Sequence, residues 1–137
     1  INNGGGQFFS PAEAISPRGW DAVVSTNLTG TWNMTRSVAD QWMLAQGGRV
    51  VSITMLTNRT FPGMSHSVAA RAGVEAFTRT ASVEWAARGI RMHCVAPGYI
   101  ASSGLKRYPP ELGIIQQMRS HVPLSALALG ESFSDSL

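Results

Sequence analysis

The sequence predicts an α/β fold, part of a doubly wound parallel sheet with flanking helices. Three observations predict it. A long run with helical periodicity is followed by a short β-branched stretch. A second helix-length run follows, and then a second apolar stretch that ends at Pro97-Gly98. Strand, helix, strand at these lengths is a crossover unit, and such units build parallel sheets with helices packed on them.

The chain opens with INNGGGQFF, which reads as a strand end running into a glycine turn. Because it begins on Ile1 rather than Met, we expect a fragment. Ser16-Pro17 is a helix-start signal, a hydroxyl cap followed by proline at the first helical position. From there Trp20, Val23, Val24, Asn27, Leu28, Thr31, Met34, Val38 and Trp42 recur at steps of three and four until Gly47-Gly48 stops them. We expect one long amphipathic helix with that stripe buried. Arg49 to Leu56, RVVSITML, should be a strand covered on both faces. A loop through Pro62-Gly63 leads to a second helix, expected from about Ser67 to Arg88. Its stripe is Val74, Phe77, Ala81 and Trp85, and Glu84 and Arg88 pair on the other side. Gly89 should end it in the left-handed conformation. Ile90 to Gly98 then forms the next strand. Ligands in such sheets sit at the carboxyl ends of the strands. NNGGG, SITM and APGYIASSG should therefore converge on one crevice. Residues 125–137 carry neither a clear period nor a good cap, and we assign them no element.

At 137 residues the chain has room for one domain and one core. Its 44% hydrophobic and 14% charged residues exclude a disordered class and indicate a soluble globular protein. The net charge of +3 comes from ten arginines and one lysine scattered along the chain. That pattern argues against nucleic acid as a partner and for a small anionic ligand. Cys94 is the only cysteine, so no internal disulfide can form and zinc-site spacing is absent. We expect a reduced, cytoplasmic setting. No run of 18 apolar residues exists and no signal-peptide pattern is visible, so no membrane is expected as a partner.

NNGGG, TNLTG, VVSITM, ARAGVEAFTRTASVEWAARGIRMHCVAPG and PGYIAS resemble, in order and spacing, the central and C-terminal part of the short-chain dehydrogenases/reductases. The resemblance covers residues 1–124 and leaves 125–137 as an atypical tail. It implies the C-terminal portion of a Rossmann-type sheet, with the glycine-rich phosphate turn expected upstream of Ile1. NNGGGQFFSPAE and HSVAARAGV are most similar to the peroxisomal-type trans-2-enoyl-CoA reductases and their bacterial relatives. IASSGLKRYPPE resembles the bacterial members, some of which serve acyclic terpenoid catabolism. The resemblance implies NADPH as cofactor, with NADH not excluded, and an acyl-CoA thioester as substrate. It also implies a homodimer or homotetramer, and a peroxisomal setting if the source is eukaryotic.

Within that family the usual acid is a tyrosine four residues before a lysine, on one helical face. Ser67 and Arg71 stand at those two places. An alkyl hydroxyl is a far weaker acid than a phenol, and a guanidinium does not give up its proton. Carbonyl reduction by the usual residues is therefore disfavoured. Reducing a double bond conjugated to a thioester makes a different demand. Hydride adds at the β-carbon and charge collects on the thioester oxygen, where fixed donors can stabilise it. Arg71 then clamps the cofactor ribose and the developing anion, and Ser67 donates a hydrogen bond. The plain alternative is that Arg71 merely reaches out from a surface helix.

The resemblance carries further residues. Thr54 matches the strand-end serine, although a shift of one residue selects Met55, and a β-branched strand residue is the alternative. Asn27 matches the helix asparagine that holds a water and a main-chain kink; an ordinary capping or exposed asparagine is the alternative. Asn3, Gly4 and Gly5 match the turn that approaches the adenosine ribose, or form a plain turn. Pro97 and Gly98 shape the strand exit, Ile100 presents its backbone to the nicotinamide carboxamide, and Ser102 matches a phosphate-binding threonine. Tyr108 lies in a loop that can reach the substrate on closure. His66, His93 and His121 show no ligand spacing, so we expect them satisfied or exposed and expect no metal site. Two rival readings stay open: a carbonyl or alcohol dehydrogenase of the same family acting on 3-oxoacyl or terpenoid alcohol or aldehyde substrates, and a non-catalytic module.

Overall fold

The computed structural model describes residues 1–101, 113–122 and 128–129, divided between two compact units, Ile1–Ala96 and Pro97–Leu137. In the first unit the long helix forms as expected. Helix α1, residues 17–46, joins α-helical segments Pro17–Val24, Gly30–Val38 and Leu44–Gln46 through two π-helical segments, Ser25–Thr29 and Ala39–Met43. Ser16 caps it, its hydroxyl accepting from Gly19 N–H at 3.1 Å, with Pro17 at the first position.

Its buried side chains are Val23, Asn27, Thr31, Thr35, Ala39 and Met43, spaced every four residues. In a regular α-helix such a row drifts by about 40° per step, or about 200° over five steps. A π-turn takes in one extra residue, worth about 100°, so two of them return the row to one face. The expected stripe is corrected accordingly. Trp20, Met34, Val38 and Trp42 are exposed because a stripe drawn at 3.6 residues per turn leaves the buried row once the helix departs from α geometry.

Strand β1 is Gly48–Ile53 and strand β2 is Ile90–Val95. They pair in parallel with Gly48 opposite Ile90 and Ile53 opposite Val95. Asn2 adds a single parallel bridge beside Ser52 on the far side of β1. Helix α2, Ser65–Glu84, crosses between the strands and is followed by a 3₁₀ turn at Ala86–Arg88. Gly89 ends that turn at φ +71°, in the left-handed region that favours glycine. Arg88 does not pair with Glu84; its guanidinium donates to Leu44 O at 3.3 Å, at the C-terminal end of α1.

The core consists of Ala39 and Met43 from α1, Ala81 from α2, and Val50, Ile90 and Met92 from the sheet, with Leu44, Phe77 and Trp85 packed against it. Both helices thus cover the sheet face that carries Val50, Ile90 and Met92. They approach closely at Gly73, where a Cβ would stand 2.9 Å from Leu28. The expectation that β1 is covered on both faces is corrected: Val50 and Ser52 are buried, while on its other face Arg49 is exposed and Val51 and Ile53 are only half-buried, and Arg91, His93 and Val95 of β2 are exposed.

In the second unit Ile100–Ala101 forms β3, Ile114–Ser120 forms helix α3, and Ala128–Leu129 forms β4, paired in parallel with β3. The segment left without an element thus contains a two-residue strand. Among the described residues no helix is long and apolar enough to cross a membrane, and no group of three His, Cys, Asp or Glu gathers to hold a metal.

Candidate functional site

The start of α2 places Ser67 and Arg71 one turn apart, and the glycine turn after Asn2 lies against them. The Arg71 guanidinium donates to Ile53 O at the carboxyl end of β1, and its other end lies against Gly5. A Cβ on Gly5 would collide with the guanidinium and stand 2.6 Å from Asn27 Oδ1. Only glycine therefore lets this backbone, Asn27 and Arg71 come together. Burial lowers the Arg71 pKa from its ordinary value, because desolvation disfavours the charged form. Arg71 does not simply reach into solvent: one end donates to a strand carbonyl and the other lies against the glycine turn.

Asn27 is fully buried in the first π-turn. Its Nδ2 donates to Gly6 O at 2.7 Å and to Val23 O at 2.8 Å, and its Oδ1 accepts from Gly6 N–H at 3.3 Å. One side chain thus grips both polar groups of a single residue. Below it Thr31 and Thr35 return their hydroxyls to Asn27 O and Thr31 O, at 2.8 and 2.7 Å. Asn2 Nδ2 donates to Thr35 Oγ1 at 2.9 Å and to Ser52 Oγ at 3.2 Å. This ladder of satisfied polar groups sets the glycine turn on α1 and β1.

Ser67 is buried, and its hydroxyl donates to Gln7 Oε1 at 3.4 Å. Gln7 is therefore a site residue that sequence reasoning passed over. No motif marks it, because the contact spans 60 positions of the chain. His66 corrects the expectation of a satisfied or exposed histidine. It is fully buried, and its Nδ1 accepts from Ser67 N–H at 2.9 Å, which puts the ring proton of the neutral form on Nε2. That Nε2 has no hydrogen-bond partner, and the ring meets Phe8 edge to face with centroids 4.5 Å apart.

Thr54 lies just past β1, where its N–H donates to Val95 O at 2.8 Å and its hydroxyl to the same oxygen at 3.5 Å. It lines a cleft of about 350 Å³ with Glu75, Thr78, Arg79 and Cys94, which includes neither Ser67 nor Arg71. Asn3 and Gly4 are exposed beside Gly5, and a Cβ on Gly4 would meet nothing within 4 Å. Pro97, Gly98 and Ile100 belong to the second unit, where Ile100 opens β3. Ser102 and Tyr108 lie outside the described residues. Ser67, Arg71, Asn27 and Gly5 are thus brought together through direct contacts or the shared neighbours Gly5 and Gln7. Thr54 occupies a separate position at the strand ends.

The family model described as enoyl-(acyl carrier protein) reductase matches residues 1–134. The chain is 37% identical, over 98% of its length and 54% of the relative's, to a Bacillus subtilis protein named "Probable 2,4-dienoyl-CoA reductase [(2E)-enoyl-CoA-producing]". It is 33% identical, over 90% of its length and 50% of the relative's, to the 3-oxoacyl-[acyl-carrier-protein] reductase FabG of Staphylococcus epidermidis. Among solved structures it is similar to the citronellol catabolism dehydrogenase AtuB of Pseudomonas aeruginosa, with 40% identity, a TM-score of 0.76, and coverage of 93% of this chain and 47% of that one. The chain spans about half the length of these relatives. A family match along nearly its whole length, on a parallel sheet whose strand end meets a helix carrying Ser67 and Arg71, makes the chain a member of the short-chain dehydrogenase/reductase family.

Proposed function

We propose that the protein reduces the double bond of trans-2-enoyl-CoA thioesters with NADPH. The observation that carries this reading is the pairing of Ser67 with Arg71, where a proton-relaying phenol and ammonium would otherwise stand, beside a glycine turn held by Asn27. The residues present fit the ribose end of a nicotinamide cofactor. The backbone at Asn3, Gly4 and Gly5 is bare of bulky side chains, and a guanidinium lies against Gly5. Arg71 would hold a cofactor ribose and the turn at Asn3, Gly4 and Gly5 would approach the adenosine ribose, while Pro97, Gly98, Ile100 and Ser102 keep the cofactor-binding roles that the resemblance implies for them. When bound, the reduced cofactor supplies hydride to the β-carbon of the substrate.

The chain's own residues deal with the charge. Arg71 stays cationic through the reaction, because a guanidinium does not deprotonate in the working range. Anchored to Ile53 O, it keeps its position while negative charge grows on the thioester oxygen, and a donor that needs no reorganisation lowers the barrier most. Ser67 contributes a second donor by turning its hydroxyl from Gln7 to that oxygen. Asn27 holds the Gly6 peptide, and so the turn, at the right height above α2. Thr54, the match to the strand-end serine, lies in a separate cleft with its hydroxyl on Val95 O and is assigned no part in handling this charge. The α-carbon takes its proton from water or a nearby hydroxyl, since the first unit, Ile1–Ala96, contains no tyrosine.

The exposed Trp32, Met34, Val38 and Trp42 on α1 and Val83 on α2 support pairing of the two long helices with a second copy, as a homodimer or within a homotetramer. The test of the reaction is direct. The intact protein is mixed with NADPH, then with NADH, and offered trans-2-decenoyl-CoA, 3-oxodecanoyl-CoA and a terpenoid aldehyde in turn. Cofactor oxidation with the enoyl thioester is expected. Oxidation with a carbonyl substrate alone would sink the proposal in favour of the carbonyl reading, and no oxidation at all in favour of the non-catalytic one.

A further inference from the structure

Residues 3 and 4 lie between two anchored stretches of chain. Upstream, Asn2 N–H donates to Val51 O at 2.8 Å, Asn2 O accepts from Ile53 N–H at 2.9 Å, and the Asn2 carboxamide is fixed to Thr35 and Ser52. Downstream, Gly5 lies against Arg71, and Asn27 grips both polar groups of Gly6. Between these anchors Asn3 and Gly4 are exposed, and among the described residues neither the Asn3 carboxamide nor Gly4 N–H has a hydrogen-bond partner. Asn3 is also the one asparagine of the chain followed by glycine. Of the other four, Asn2 and Asn27 are held by hydrogen bonds, Asn33 sits within α1, and Asn58 precedes Arg59.

That combination is reactive. A following glycine has no side chain to shield its nitrogen, and it turns freely enough for that nitrogen to reach the asparagine carboxamide. We propose that Asn3 is a site of spontaneous deamidation, and that the product moves the glycine turn off Asn27 and Arg71. Gly4 N gives up its proton to water and attacks Asn3 Cγ. The new N–Cγ bond forms, the Cγ–Nδ2 bond breaks, and Nδ2 leaves as ammonia. Water then opens the cyclic imide. Cleavage at Cγ restores the peptide with an aspartyl side chain, whereas cleavage at the main-chain carbonyl leaves an isoaspartyl link in which Cγ carries the chain onward. Nothing is oxidised or reduced, and water is the only co-reactant. The isoaspartyl link lengthens the main chain by a methylene between anchors whose spacing β1 and α1 fix. The added length has to be taken up at Gly5 and Gly6, where even a Cβ on Gly5 has no room. The turn that brings Asn27 and Arg71 together thus ages faster than the rest of the chain.

The experiment incubates the intact protein at mildly alkaline pH and maps its peptides by mass spectrometry, with chromatography separating aspartyl from isoaspartyl forms. Asn3 should convert, and faster as pH rises because the attacking nitrogen has to lose its proton, while Asn2, Asn27, Asn33 and Asn58 stay intact. Gly4→Ala should slow the conversion about tenfold, since a methyl group then crowds the nitrogen. Its Cβ would meet nothing within 4 Å and Gly4 lies outside the left-handed region, so this variant should fold. Asn3→Gln, which would have to close a larger ring, should not convert in the same time. The Gly6 amide, bonded to Asn27 Oδ1, should be protected from hydrogen exchange in the wild type and in Asn3→Asp, which has the charge without the methylene, and unprotected in the isoaspartyl fraction. An Asn3 that stays intact in the folded protein yet converts in urea, or that converts no faster than the other asparagines, overturns the site. An isoaspartyl fraction whose Gly6 amide stays protected overturns the displacement. Neither readout uses turnover, so the outcome does not depend on which reaction the protein performs.

Discussion

Arg71 illustrates how much a single side chain can decide. Burial lowers its pKa, yet the ordinary value lies so high that the site's cation does not titrate in the neutral range. The sign of the linkage follows: a cation whose folded pKa lies below its unfolded one gains stability only as pH rises through the folded value, far above working conditions. The wild-type rate should therefore show no alkaline limb from this group between pH 6 and 9. Arg71→Lys places a titratable ammonium in the same half-buried position, where desolvation pushes its pKa down, so a falling alkaline limb is expected. A flat profile for that variant in a steady-state pH series would contradict this account. Asn27 offers the matching test of stability. Asn27→Ala deprives the Gly6 peptide and Val23 O of their partner and should cost about 3 kcal/mol in urea unfolding. Asn27→Asp keeps the acceptor for Gly6 N–H but turns a buried carboxylate oxygen toward Gly6 O and Val23 O, and should cost at least as much as Asn27→Ala.

The elements show how local geometry serves the site. A buried row at strict four-residue spacing works only because π-turns at Ser25–Thr29 and Ala39–Met43 rephase α1, and the first of them carries Asn27. Deleting Ser25 removes the extra residue of that turn and returns it to α geometry, with both flanking faces kept in register. Deleting exposed Trp32 from the α-helical Gly30–Val38 segment instead rotates one half of the helix by about 100° and exposes Thr35, Ala39 and Met43 or their upstream partners. Circular dichroism and thermal melting should show the first variant folded and the second collapsed. The glycine turn behaves likewise. Gly5→Ala must displace either Arg71 or the turn itself, and should cost about 1–3 kcal/mol together with most of the activity.

Across the first unit, both helices cover one sheet face, and the outward surface of α1 bears Trp32 at 41%, Val38 at 47%, Met34 at 60% and Trp42 at 64% exposure. Apolar patches of this kind mark contact surfaces. The 137-residue chain produced by itself should therefore self-associate or aggregate, and Trp42→Glu should shift it toward smaller species in sedimentation velocity. A monomer that unfolds cooperatively without that substitution would overturn this expectation. The positive charge has its own distribution: Arg49, Arg88 and Arg91 line a cleft of about 710 Å³ at the amino ends of both strands, where the Arg88 guanidinium satisfies the last turn of α1.

Periodicity and turn chemistry made the elements legible in the sequence. Ser16-Pro17, Gly89, the two strands and the long helices follow from local preference, and local preference survives folding wherever packing agrees with it. The placement of Ser67 and Arg71 one turn apart on α2 is likewise a property of helical spacing alone. Which face of α1 is buried was not legible, because the two extra residues of its π-turns leave no mark in a period of 3.6. Nor were Gln7, His66 and the places where Phe8 and Phe9 pack on Gly19 and Gly63, since contacts that span from 11 to 60 residues depend on where the chain returns to. Local order came from the sequence by itself; which distant side chains share the site, and which glycines had to stay bare to admit them, came only from packing in three dimensions.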